Sequence, residues 1–215
     1  MTGQLARFLA IPLLAFTLAA CETLAPRVAG EDAEAWEARR ARLLAMEDWS
    51  LEGRIAIRTA EDGQSANIIW EQQGDYFDGQ LFGPFGAGNT RIVGSAEELV
   101  LKTSDGGELY TRNPERDLYW ELGWTVPLEQ MPYWVRGLPG PGKARDIEID
   151  GAGRLQSLRQ GAWELEISQY VERDGGEIMP RKLTLQRDEL RIRLVIDEWV
   201  LPGEGSAKSA ESSQD

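Results

Sequence analysis

The chain has one cysteine and no histidine, against 36 Asp and Glu and 23 Lys and Arg. Without imidazole there is no Ser-His-Asp or Cys-His relay, no histidine general base and no imidazole metal ligand. A lone thiol makes neither an internal disulfide nor a cysteine zinc cage. What remains is carboxylate chemistry, one sulfur nucleophile at Cys21, and apolar surface. Asp75, Asp78, Glu97 and Glu98 fall near turns or on wet strand faces, where charge is the ordinary occupant, so no acid–base pair stands out. Gly83-Pro84-Phe85-Gly86 and Gly137-Leu138-Pro139-Gly140 are glycine-rich, but neither ends in Gly-Lys-Ser/Thr nor opens a helix, so neither cradles phosphate. A formal net charge of −13 argues against a basic surface for nucleic acid. No enzyme, metal site or cofactor is expected.

The position of the sulfur is informative. Arg7 and the amino terminus precede an eleven-residue apolar run, Phe8 to Leu18. A membrane span needs about 20 such residues, so residues 1–20 read as a secretory signal. The run closes on Leu18-Ala19-Ala20-Cys21, which resembles the lipobox of bacterial lipoproteins. That resemblance implies a diacylglycerol on the Cys21 sulfur, cleavage before Cys21 and acylation of the new amine. The plain alternative is a cleaved signal followed by a stray cysteine. An unpaired thiol is a liability in an oxidising compartment, and the sole cysteine stands where the motif requires it. Several fatty chains give a stable anchor where one gives marginal binding. Glu22 follows; lipoproteins retained at the inner membrane usually carry Asp there. The expected location is the outer membrane, anchored through Cys21 and facing the periplasm.

These features need a scaffold. Residues 21–30 read as a short tether, residues 31–202 as one domain, and residues 203–215 as a disordered tail of Gly, Ser, Ala and charge. Glu31 to Glu47 is expected to be helical, with Ala33, Trp36, Leu43 and Leu44 near one face. Its acidic start and its arginines at Arg39, Arg40 and Arg42 complement the helix dipole. Beyond it, strand alternation dominates. Leu51, Gly53, Ile55 and Ile57 alternate with Glu52, Arg54, Ala56 and Arg58; Leu190, Ile192, Leu194 and Ile196 alternate with Arg191, Arg193, Val195 and Asp197. Turn signals such as Glu61-Asp62-Gly63 and Asp174-Gly175-Gly176 separate about eleven strands. One interruption, Pro114 to Gly137, suggests two short apolar helices. One-sided strands in series predict a mainly β fold, an antiparallel sheet with a wet and a dry face. The dry face must be covered by a second sheet, by its own curvature, or by those helices.

Two features could bind something apolar. In Gly83-Pro84-Phe85-Gly86 the Pro and the final Gly favour a type I turn, which places Phe85 at a loop tip. Phe85 either folds back onto the core or projects outward to meet a membrane. The second feature is the inner apolar set: Ile55, Ile57, Trp70, Trp120, Trp124, Trp134, Ile192 and Leu194. These residue types fill an ordinary core as readily as they line a ligand cavity.

At this point the chain resembles a known family, the LolB-type outer-membrane lipoprotein receptors. The resemblance runs from about Trp49 to Trp199. It rests on Leu51-Glu-Gly-Arg-Ile-Ala-Ile-Arg58, the Trp70-Glu-Gln-Gln-Gly74 strand end, Leu81-Phe-Gly-Pro-Phe-Gly86 and Pro132-Tyr-Trp-Val-Arg-Gly-Leu-Pro139, in that order behind a lipobox. It implies an unclosed antiparallel barrel of the LolA/LolB kind, with helices over its apolar concave face. It further implies a monomer that takes triacylated lipoproteins from the periplasmic carrier LolA into an apolar cavity and places them in the outer membrane. In that family a leucine at a protruding loop tip is linked to membrane insertion, and Phe85, flanked by Pro84 and Gly86, occupies the matching place. Phe for Leu departs from the family's version but keeps a bulky apolar tip. The rival reading is an outer-membrane scaffold lipoprotein with a filled core and a protein-binding surface.

Overall fold

The computed structural model describes residues 31–83, 88–173 and 175–202. The signal, Cys21, the tether, the Pro84–Gly86 loop and the tail lie outside the described residues. Helix α1 (Glu31–Leu44) opens the domain and leads into β1 (Asp48–Arg58), β2 (Gly63–Gln73), β3 (Tyr76–Phe82), β4 (Asn89–Gly94), β5 (Leu99–Thr103) and β6 (Glu108–Thr111). Helices α2 (Pro114–Leu122) and α3 (Met131–Trp134) follow. The chain then completes β7 (Ala144–Ile149), β8 (Leu155–Gln160), β9 (Trp163–Glu172), β10 (Ile178–Arg187) and β11 (Leu190–Val200). Among the described residues no helix is long and apolar enough to cross a membrane.

All eleven strands form one sheet in the order β6-β5-β4-β3-β2-β1-β11-β10-β9-β8-β7, antiparallel throughout. The first and last strands meet at its centre, and the edges β6 and β7 remain unpaired with each other, so the sheet is unclosed. Alternation in β1 buries Trp49, Leu51, Gly53, Ile55 and Ile57, as the period of two requires. In β11 it buries Ile192, Leu194, Ile196 and Trp199. The opposite face carries ion pairs such as Arg54 with Asp197, whose Nε and Nη2 each donate at 3.0 Å. At the β1–β11 junction the register slips between Glu52 and Gly53. There the Val195 carbonyl approaches so closely that a Cβ on Gly53 would lie 2.2 Å from it.

Because each hairpin reverses direction, the β1–β2, β3–β4, β5–β6, β8–β9 and β10–β11 connections share one end of the sheet. The β2–β3, β4–β5, β7–β8 and β9–β10 connections share the other. The helical segment after β6 returns the chain to β7, so it joins the two free edges and must cross the open side over the dry face. Helices therefore cover that face, and among the described residues there is no second sheet to do so. Trp36 and Leu43 of α1, Leu118 of α2, and Met131 and Trp134 of α3 all enter one core with the strand residues.

Candidate functional site

Each covering helix is pinned by a different device. Proline at the start of α2 suits the first turn, where its missing N–H would have had no partner. Gly123 ends that helix in the left-handed region (φ 78°), its N–H bonding the Tyr119 carbonyl at 2.9 Å. Trp134 of α3 is fully buried and donates its Nε1–H to the Gln160 side chain at 2.9 Å. At the far side α1 is held by Arg39, which pairs with Glu177 at 3.0 Å and also bonds the Ile178 carbonyl. The Arg39 and Arg154 guanidiniums flank the Tyr170 ring at 5.6 and 5.2 Å from its centre. Burial raises the Tyr170 pKa against the opposing pull of Arg39, so its hydroxyl stays a donor, to the Leu155 carbonyl.

Between this cover and the sheet lies a cleft of about 1810 Å³. Its walls include Gly74 and Asp75 and also Ser95 to Glu97, from turns at one end of the sheet. They include Thr59 and Ala60 and also Arg187 to Leu190, from turns at the other end. The cleft therefore runs the length of the strands; β1, with 11 residues at about 3.3 Å each, spans roughly 35 Å. Ligand pockets for drug-sized molecules occupy roughly 300–1,000 Å³. This cleft is larger.

Behind the lining runs a row of buried aromatic rings. Trp199 packs on Trp49 (5.5 Å between rings), Trp49 stacks parallel to Trp70 (6.5 Å), and Trp70 stacks on Phe77 (4.8 Å). Phe77 is the member of this row that faces the cleft. The Trp70 Nε1–H donates to Gln72 Oε1 at 2.8 Å, and Gln72 Nε2 donates to the Gly74 carbonyl at 2.8 Å. These bonds let buried polar atoms sit beside apolar ones without cost in unmade hydrogen bonds. Met46, Trp124, Leu128, Pro132 and Tyr133 complete the apolar wall.

One charge lies deep in that wall. Arg136 is only 7% exposed, lines the cleft, and makes no ion pair among the described residues. Its Nη1 donates to the carbonyls of Leu43 (2.8 Å) and Met46 (2.6 Å), and its Nε to that of Pro132 (2.8 Å). The guanidinium lies 5.9 Å from the Trp49 ring centre and 5.4 Å from that of Tyr133. Burial holds its pKa below the ordinary arginine value, with Tyr133 opposing. Arg136 thus joins α3 to the end of α1 and places a desolvated cation in the cleft wall.

Of the expected lining residues, Trp124 faces the cleft. Ile55, Ile57, Trp70, Trp134, Ile192 and Leu194 are buried in the same core as Trp124 but do not border the cleft. Trp120 turns outward on α2, 78% exposed, with its ring against Tyr119 at 5.8 Å. Pro84, Phe85 and Gly86 lie outside the described residues, but their flanks are placed: the Gly83 N–H bonds the Gly88 carbonyl at 3.2 Å. That pair closes the β3–β4 connection at the sheet end where Thr59 and Leu190 border the cleft. Sequence reasoning missed Phe77, Leu128, Tyr133 and Arg136 as lining. The signal for Arg136 was an arginine set inside the apolar run Met131 to Leu138.

Comparison with known proteins fits this geometry. The family model for outer membrane lipoprotein LolB matches residues 47–199. The chain is 35% identical to the outer-membrane lipoprotein LolB of Stutzerimonas stutzeri (strain A1501), over 91% of this chain and 96% of that protein. It is 38% identical to that of Alkalilimnicola ehrlichii (strain ATCC BAA-1101 / DSM 17681 / MLHE-1), over 91% and 97%. Among solved structures, a domain from Vibrio parahaemolyticus named for outer membrane lipoprotein sorting superposes with a TM-score of 0.50 at 9% identity. That match covers 79% of this chain and 92% of the domain, and is a likeness of fold. By family model and by curated relatives alike, the chain belongs to the LolB family of outer-membrane lipoproteins, which act in lipoprotein localisation.

Proposed function

We propose that this protein receives triacylated lipoproteins from the periplasmic carrier LolA, holds their acyl chains in the cleft, and inserts them into the inner leaflet of the outer membrane. In this reading it works as a monomer anchored through Cys21 and catalyses no covalent step. The observation that carries it is the large cleft between the sheet and the covering helices, with Phe77, Trp124, Leu128 and Tyr133 on its border. A triacylated cysteine carries roughly 40 methylenes, and at about 0.8 kcal/mol each their exposure to water would cost roughly 30 kcal/mol. Passage from one sheltered site to the next avoids that exposure. No nucleotide is needed if each receiver is more favourable than the donor.

The test mixes the anchored protein with lipoprotein-loaded carrier and follows the passenger. Movement of the passenger onto this protein, then into added liposomes, is the expected result. Retention on the carrier, together with no saturable binding of an acyl probe at micromolar protein, would leave the scaffold reading in its place.

A further inference from the structure

The cleft contains an unused donor, and its position specifies what a ligand must bring. Arg136 offers five N–H groups in a planar fork. Its Nε and Nη1 are engaged by the carbonyls of Pro132, Leu43 and Met46, while Nη2 bonds no described residue. The Trp49 indole beneath the guanidinium also carries a donor, a buried Nε1–H with no acceptor among the described residues. Donors therefore exceed acceptors at this spot. A buried donor without a partner is expensive, and so is a desolvated cation. Arg136 borders the cleft, so the cost of its desolvated cation falls when an occupant supplies oxygen to Nη2.

The kind of oxygen is constrained by the rest of the wall. Glu47, Asp75, Glu97, Glu115, Glu129, Asp188 and Glu189 all border the cleft. Of the other three cleft arginines, Arg112 and Arg116 are engaged by Glu98 and Asp117, and Arg187, next to Asp188 and Glu189 of the β10–β11 turn and 6.0 Å from the Trp163 ring centre, sits at the sheet end. An anion entering this cleft crosses a predominantly acidic border. A neutral acceptor crosses without repulsion, and backbone carbonyls already satisfy the other edge of the same guanidinium.

We infer that Arg136 is the recognition residue for the carbonyl oxygens at the head of an acyl chain, the esters or amide through which fatty chains are attached. This rests on the cleft being the acyl-chain site. On this reading the apolar lining residues, Phe77, Trp124 and Leu128 among them, take the hydrocarbon without discrimination, and Arg136 fixes how deeply the chain enters. It separates acylated molecules from plain hydrocarbon or ether lipids of equal length. The Leu43 and Met46 carbonyls hold the guanidinium in place, so α1 contributes to selectivity without touching the ligand.

The experiment uses the anchored protein in maltoside micelles, which contain no carbonyl group. Three probes carry the same diazirine on a hexadecyl chain: a monoacylglycerol ester, the matching glycerol ether, and the free carboxylate. Photolabelling of cleft peptides is compared at equal probe concentration. The ester is expected to label about ten-fold more than the ether, the ratio for one hydrogen bond to a charged donor. Arg136→Met brings the ester down to the ether level; should that variant not fold, the native ester-to-ether ratio decides alone. Equal labelling by ester and ether in the native protein overturns the inference and leaves the cleft as a simple hydrocarbon site. Strongest labelling by the carboxylate overturns it in favour of an anion site. Absence of cleft labelling by all three overturns both this inference and the acyl-chain reading beneath it.

Discussion

Gln160 and Trp134 are joined by a hydrogen bond of 2.9 Å in which the indole donates to Oε1, 26 residues apart in the chain. The same Oε1 accepts the Gly140 N–H at 2.9 Å, and Nε2 donates to the carbonyls of Gly140 and Pro141 at 2.7 and 2.8 Å. One side chain at the end of β8 thus fixes both α3 and the irregular segment that leads into β7. Gln160 is 4% exposed, so none of these groups can turn to water if it is lost. Gln160→Leu is expected to cost roughly 3 kcal/mol, from several buried donors and acceptors left unmade. Urea unfolding checks this. A loss below about 1 kcal/mol would mean that water or a shift of α3 replaces the amide.

The central strand pair makes a second demand. A Cβ on Gly53 would meet the Val195 carbonyl at 2.2 Å and the Ile196 Cα at 3.0 Å, both of them backbone. No side-chain rotation relieves that clash, so the β1–β11 junction must spread. Gly53→Ala is expected to lower stability by about 3 kcal/mol or more. Gly63→Ala serves as the control, since its Cβ would meet Arg58 Cγ at an ordinary 3.6 Å. Denaturant midpoints that fall equally for the two variants would show that strand propensity dominates over the close approach.

Gly53 also marks where the sequence was legible. A glycine at an inward position of an alternating strand already placed that position in the core, and alternation located the eleven strands without reference to their partners. Parity fixes a face, however, and does not say whether the space above it is filled. Ile55 and Leu194 face inward and are buried, and so are Phe77 and Trp124, but only the latter two also border the cleft. That distinction depends on where α1 and α3 cross the sheet. The crossing is set by contacts far apart in the chain, such as Arg39 to Glu177 and Arg136 to Leu43. Trp120 shows the same limit: on a helix of nine residues, apolar type alone did not say which side faces water.

The β7–β8 turn gives a pH signature. Asp150 loses solvation on burial, which favours its protonated form. Hydrogen bonds from Arg154 and from the Ala152 N–H outweigh this and hold the pKa below the usual carboxylate range. Arg154 reaches it at 2.7 Å from Nε and 2.9 Å from the backbone N–H. The native state therefore binds fewer protons here than the unfolded chain. Its contribution is complete above the unfolded value of about 3.9 and disappears as pH falls through the lower folded value. Compared with Asp150→Asn, the native protein should be more stable by roughly 1–2 kcal/mol at neutral pH. The gap should close below about pH 4. Unfolding curves at a series of pH values test this, and a gap that stays constant into strong acid would remove the carboxylate from the account.

The last prediction concerns the loop whose flanks Gly83 and Gly88 close at the end of the sheet. The family resemblance implies that Phe85 enters the bilayer, and the cleft opens at that same end, bordered by Thr59 and Leu190, so acyl chains would leave there. Insertion of a phenylalanine is favourable by roughly 1.5–3 kcal/mol, and a glutamate there must instead be desolvated at a cost. Phe85→Glu should therefore leave the denaturant midpoint and the taking of passenger from the carrier nearly unchanged, while release into liposomes falls at least ten-fold. Phe85→Leu, which keeps a bulky apolar tip, should release at close to the native rate. The two variants separate contact with the membrane from a role in the fold. If Phe85→Glu unfolds the domain, the side chain packs inward; if release continues undiminished, chains reach the bilayer by another route.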